Sequence, residues 1–155
     1  MKIVIGSDHA GFALKSAIGD AIRGLGHELL DVGAFNENPC DYPDIAELVA
    51  RAVADGKSER GVLIDGSGVG MVIAANKIPG IRAAACHDTC SAHQGVEHDN
   101  MNVLVIGARI VGSNLAVDLV ASYLGANFTN ETRHVRRLNK VLALESRMFL
   151  EAVKK

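Results

Sequence analysis

Gly61–Lys77 reads GVLIDGSGVGMVIAANK. Val62, Leu63 and Ile64 form a short apolar run, as a parallel strand buried on both faces requires. Gly66, Gly68 and Gly70 then alternate through a tight loop, and Val72 to Ala75 continue with helix-interior character. Strand, glycine loop and helix in that order aim backbone N–H groups and a helix N-terminus at an anion. Asp65 ends the strand, where open α/β sheets put their chemistry. Two nucleotide signatures fail here. Gly70 is followed by Met71 and Val72 rather than the Lys-Ser/Thr of a P-loop. Three positions after Gly68 stands Met71, where a dinucleotide fingerprint needs Gly or Ala. On the loop alone, tight βα packing and an oxyanion or phosphate cradle are equally good readings.

Outward from this stretch, strands and helices alternate. Lys2–Gly6 (KIVIG), His27–Val32 (HELLDV), the run from Gly61, Ile81–Cys86 and Asn102–Ile106 (NVLVI) read as strands. Helices are expected over Phe12–Leu25, from Tyr42-Pro43 to about Ala54, up to Lys77, from Asp88 or Thr89 to about Glu97, and from a Ser113 cap to about Leu124. A charged last helix follows over Thr132–Val153, with Leu138, Val141, Leu142, Leu144 and Met148 as its apolar side. The pattern is that of one doubly wound α/β sheet of about five parallel strands. The last helix has no strand after it; it packs either on a partner subunit or on its own sheet.

The 155 residues fit a single domain over 1–155. The hydrophobic fraction of 48% is ample for a core, and the aromatic fraction of 4% leaves the packing to small apolar residues. A net charge of −2 gives no reason to expect nucleic acid, and no apolar run is long enough for a bilayer. The opening MKIVIGSDHAG leads straight into a strand without a signal-peptide h-region, so a cytoplasmic location is expected. Cys40, Cys86 and Cys90 are odd in number and lack CxxC spacing, which argues against a disulfide framework. His87, His93 and His98 with Cys86 and Cys90 match neither HExxH nor a Cys/His zinc pattern, so no metal is expected.

Polar residues gather after the strands: Asp8 and His9 after the first, Asp65 and Ser67 after the third, His87 and Asp88 after the fourth, Arg109 after the fifth. An anion-binding loop, histidines, a carboxylate and an arginine on one edge suit a small phosphorylated substrate and proton transfer. Each residue also has a plainer reading. Asp8 is a natural helix cap, and Arg109 a surface charge. Arg133 and Arg137, one turn apart, form either a solvated face or a phosphate fork.

GSDHAG at the start, DYPD, G-x-G-x-G with AANK-x-PGIRAA, EH-x-x-NVL-x-IG-x-R and RH-x-x-R together resemble the ribose-5-phosphate isomerase B / galactose-6-phosphate isomerase family, from Met1 to about Met148. The resemblance implies a Rossmann-like αβα sandwich and a homodimer with sites between subunits; the sequence leaves open whether such dimers pair into a tetramer. It also implies metal-free and cofactor-free aldose–ketose isomerisation of a sugar phosphate. It assigns phosphate to His9, Arg109, Arg133 and Arg137, the last two from the neighbouring subunit. Ring opening falls to His98, contact with the sugar or support of that histidine to Asp8 and Tyr42, and the enediolate cradle to the loop Gly66, Ser67, Gly68, Val69 and Gly70. Many members carry a cysteine base at the position of Asp65, and another subgroup has glycine there with glutamate at the position of Met71. This chain has neither, so Asp65 is expected to be the base, with Ser67 beside it. His98-Asp99-Asn100 replaces the usual His-Asn-Asp or His-Asn-Asn, which brings Asp99 and Asn100 into the substrate set. Ribose 5-phosphate is the default substrate and erythrulose 4-phosphate the competitor. A six-carbon sugar phosphate ranks lower. A sugar-phosphate-binding protein without catalysis and a flavodoxin-like nucleotide domain are the readings of another class.

Overall fold

Ile3 and Ile5 face one way along the first strand and Val4 the other, and both sets are fully buried. That is the signature of a strand covered on both faces. The computed structural model describes residues 1–153, with side chains through Arg147. Its elements are β1 (Lys2–Ser7), α1 (Phe12–Gly24), β2 (Glu28–Asp31), α2 (Tyr42–Ala54), β3 (Arg60–Asp65), α3 (Val69–Ala75), β4 (Ala83–Ala85), α4 (Thr89–Asp99), β5 (Val103–Gly107), α5 (Ser113–Gly125) and α6 (Thr132–Val153). The strands form one five-stranded, all-parallel sheet in the order β2-β1-β3-β5-β4.

Two apolar layers sandwich the sheet. Ile3, Ile5, Val62, Ile64, Leu104 and Ile106 meet α1, α4 and α5 on one face. Val4, Leu63, Val103 and Val105 meet α2 and α3 on the other. The Rossmann-like expectation therefore holds, with β5 inserted between β3 and β4.

Several boundaries move, each for a local reason. β4 is shorter than Ile81–Cys86. The Asn76 side chain accepts from Ala83 N and donates to Ala83 O at 2.8 Å each, so it takes up the outer edge of the strand. Arg82 N–H is diverted to Asn102 Oδ1 at 2.8 Å. α4 runs two residues past Glu97 and stops at Asn100, whose φ of 52° is the left-handed turn of a helix end. His98 is thus carried on a helix. Ser113 is the first helical residue rather than the cap; Gly112 holds that position without a side-chain bond. α6 packs on α4 and reaches the segment before β4, where Gly80 N–H donates to Glu145 Oε1 at 2.9 Å. Val141 and Leu144 on its apolar side remain more than half exposed. The side chain of Met148 lies outside the described residues.

Candidate active site

The strand order reverses around β1 and β3, and the loops after them part at that point to leave a crevice. A cleft of about 380 Å³ opens there, lined by Asp8, His9, Ala10, Tyr42, Asp65, Gly66, Ser67, Gly70, Arg109 and Ile110. Three loops and the start of α2 contribute to it. A larger hollow of about 480 Å³ between α1 and β2 lacks such a set, because Lys15 there is bonded to Asp31 Oδ1 at 2.7 Å and Ala34 O at 2.6 Å.

Asp65 is 5% exposed, and its carboxylate is held by the loop it precedes. Gly68 N–H donates to Oδ1, and Met71 N–H to Oδ2 at 3.4 Å. Gly68 turns the chain with φ 86°, a conformation costly to any residue with a Cβ. The cradle expected over Gly66–Gly70 is therefore partly filled by Asp65 itself. Among the described residues, the N–H groups of Ser67 and Gly70 have no partner and stay available to an oxyanion. Ser67 Oγ instead accepts from Val69 N–H at 3.3 Å. Val69 is more than half exposed beside the loop and does not line the cleft.

The walls are set by close packing. A Cβ on Gly70 would meet the Tyr42 ring at 2.9 Å, so the ring lies directly on the loop. Gly11 is pressed against the end of β3; a Cβ there would sit 2.4 Å from Ile64 O. Arg109 is exposed, lies along Gly66 at 3.5 Å from its would-be Cβ, and forms no ion pair among the described residues. Its guanidinium is free for an anion. His9 Nδ1 accepts from Cys40 N–H at 3.4 Å, an arrangement that leaves Nε2 unbonded among the described residues. Asp8 Oδ1 accepts from Ala10 N–H at 2.9 Å and Gly11 N–H at 3.0 Å. It folds the loop before α1, while Gly11 takes the formal cap position.

His87 and Asp88, expected on this edge, do not line the cleft. Asp88 caps α4, accepting from Ser91 N–H at 2.7 Å and Ser91 Oγ–H at 2.8 Å. These bonds, the backbone one foremost, hold its carboxyl below the usual carboxylate range.

His98, Asp99, Asn100, Arg133 and Arg137 are also absent from the cleft. α4 follows β4 and leads back to the start of β5, so its last turn lies at the opposite edge of the sheet from Asp65. The five residues of β5 alone put roughly 16 Å between those edges. Asp99 lines a separate apolar groove with Leu138 and Val141. Asn100 supplies the turn, and its carbonyl accepts from Arg82 Nε at 2.7 Å. Arg133 Nε donates to Glu131 Oε2 at 2.8 Å. The expected residues thus fall into two groups that one chain does not bring together.

One residue went unassigned in the sequence. His134, inside RH-x-x-R, is 1% exposed and stacks on His98 with ring centroids 4.0 Å apart. The signal was present: His134 stands at i, i+4, i+7 spacing with Leu138 and Val141 of the apolar side of α6.

Comparison with known proteins joins these halves to a family. The family profile described as Ribose/Galactose Isomerase matches residues 3–141. Ribose-5-phosphate isomerase B of Escherichia coli K12 is 43% identical over 146 residues, covering 94% of this chain and 97% of that one. D-erythrulose-4-phosphate isomerase of Pectobacterium atrosepticum is 43% identical over 130 residues, covering 83% and 85%. Among solved structures, ribose-5-phosphate isomerase B of Clostridium thermocellum superposes with a TM-score of 0.93 at 44% identity, over 96% of this chain and 99% of that one. The Mycoplasma genitalium enzyme with bound ribulose-5-phosphate superposes at 0.87 and 37% identity, over 94% and 96%. The chain belongs to the ribose/galactose isomerase family.

Proposed function

We propose that this chain interconverts the aldose and ketose forms of a small sugar phosphate through an enediolate, with ribose 5-phosphate and ribulose 5-phosphate as the pair. The observation that carries the reading is Asp65, a buried carboxylate facing a cleft that also holds His9 and, without partners among the described residues, loop amides and Arg109.

Asp65 takes the proton from carbon 2 of the open-chain aldose. The C–H electron pair forms the C1–C2 double bond, and the carbonyl oxygen gains the charge. The N–H groups of Ser67 and Gly70 meet that oxyanion, the kind of fixed donor that supplies the largest share of stabilisation in such steps. The oxygen-bound proton passes from O2 to O1, and Asp65 returns its own proton to carbon 1. The Gly68 and Met71 amides hold the carboxylate in place before substrate arrives. Tyr42 and Asp8 bound the sugar end, and His9 and Arg109 bind the phosphate.

The remaining residues come from a second copy in a homodimer. Arg133 and Arg137 complete the phosphate fork, His98 protonates the ring oxygen of the cyclic aldose, and Asp99 and Asn100 flank it. The separation of the two groups within one chain supports this division.

A second reading takes erythrulose 4-phosphate as substrate. It is favoured by the relatives of that name from Pectobacterium atrosepticum and from Mycolicibacterium smegmatis, the latter 39% identical over 149 residues. The test is an isomerase assay on ribose 5-phosphate and erythrulose 4-phosphate with the wild type and Asp65→Asn. Turnover of one substrate, lost by roughly 10²–10⁴-fold in the folded variant, supports the carboxylate base. Binding of sugar phosphate with no turnover and no exchange of the carbon 2 proton with deuterated water returns the chain to a binding role.

A further inference from the structure

His134 is the most deeply buried imidazole among the described residues, and neither of its nitrogens has a hydrogen-bond partner there. Glu131 Oε2, the nearest carboxylate oxygen, lies 3.8 Å from Nε2, beyond hydrogen-bonding reach. Burying an imidazole without partners is unfavourable, so its hydrogen bonds within the chain do not explain its place. What the ring does make is a face contact with His98, at 4.0 Å between centroids and 34° between planes.

The contact is held from both sides. Thr129 N–H and Thr129 Oγ–H both donate to Glu97 O at 3.1 Å, which fastens the segment before α6 to the last turn of α4. Beyond the ring, Asn100 closes α4 and is fixed by Arg82. His98 itself is half-buried and has no hydrogen bond among the described residues. Its ring is therefore oriented by packing, the His134 face included, rather than by hydrogen bonds.

We propose that His134 is a positioning residue: its ring is the platform that holds the His98 imidazole at the angle needed to protonate the ring oxygen of a cyclic sugar phosphate. The proposal rests on the isomerase reading above. It has a chemical signature. Ribose 5-phosphate is a closed ring in solution and needs that proton. Ribulose 5-phosphate cannot close a five-membered ring, because its C5 oxygen carries the phosphate. Exchange of its carbon 1 proton requires only Asp65 and the loop amides.

The experiment compares wild type, His134→Ala and His134→Phe in deuterated water. It measures conversion of ribose 5-phosphate, exchange of the carbon 1 proton of ribulose 5-phosphate, and the Cε1–H magnetic resonance signal of His98, assigned with His98→Asn. His134→Ala is expected to slow ribose 5-phosphate conversion roughly tenfold, the scale of a small misplacement of a catalytic group. Exchange stays within about twofold of wild type, and the His98 signal moves as the ring current is lost. His134→Phe, which keeps a ring and removes two unpaired nitrogens, restores conversion. Equal loss of conversion and exchange, no loss of either, or failure of Phe to rescue overturns the proposal. If the wild type converts neither ribose 5-phosphate nor erythrulose 4-phosphate, the isomerase reading has failed. His134 is then judged on the His98 signal, and an unmoved signal in both variants overturns the platform.

Discussion

In the proposed mechanism, Asp65 and His98 divide the chemistry between a step every substrate needs and a step only some need. An aldose 4-phosphate of four carbons cannot close a five-membered ring, since its C4 oxygen is esterified. His98→Asn should therefore cut ribose 5-phosphate turnover by roughly 10²-fold or more and lower four-carbon turnover far less. Parallel steady-state assays on the two substrates check this. Asp65→Asn should affect both equally. The cysteines give a second test at this scale. Burial, with Asp88 adding to it, pushes the Cys86 thiol up to about 11, whereas Cys90 is exposed. A maleimide at neutral pH should label Cys90 promptly and reach Cys86 only after unfolding, as peptide mass mapping would show.

At the scale of elements, α5 depends on a residue outside it. Arg60, at the start of β3, donates to Tyr123 O at 2.5 Å and Ala126 O at 2.7 Å, and its guanidinium lies 5.2 Å from the centre of the Tyr123 ring. These bonds satisfy carbonyls that a helix C-terminus leaves open. Arg60→Ala should lower the unfolding free energy by about 2 kcal/mol, read as a shift in the denaturant midpoint, while turnover per folded molecule is kept. Strand and helix positions were legible because burial on two faces and the 3.6-residue period write themselves into VLI, VLVI and the stripe of α1. The early end of β4 was not, because it is set by the Asn76 side chain across a turn. Nor was the capture of the Gly68 and Met71 amides by Asp65, which depends on how tightly the loop folds back on its own strand.

For the whole molecule, Asp8, His9, Asp65, Ser67 and Arg109 meet at one edge of the sheet, while His98 lies at the other. Which residues follow which strand is local information; which edge a helix end reaches depends on the strand order, and here β5 lies inside β4. The homodimer reading then makes a quantitative statement. Asp65→Asn and His98→Asn homodimers are each impaired on ribose 5-phosphate. After mixing and subunit exchange, about a quarter of wild-type activity should return, because half the dimers are mixed and each has one intact site. Activity that stays at the level of the separate variants would place both residues in one chain's site.

Next to the cleft residues Asp8, His9 and Ala10, Gly11 is pressed against the Ile64 carbonyl, with no space for another atom. Heritable change is closed at that position, since any replacement must first displace the backbone of the central strand. Descendants of this sequence that shift from one sugar to another must do so at the walls of the cleft, through Tyr42 and Ile110. A selection library varied at those two positions should yield altered sugar preference, and one varied at Gly11 should yield only chains that fail to fold.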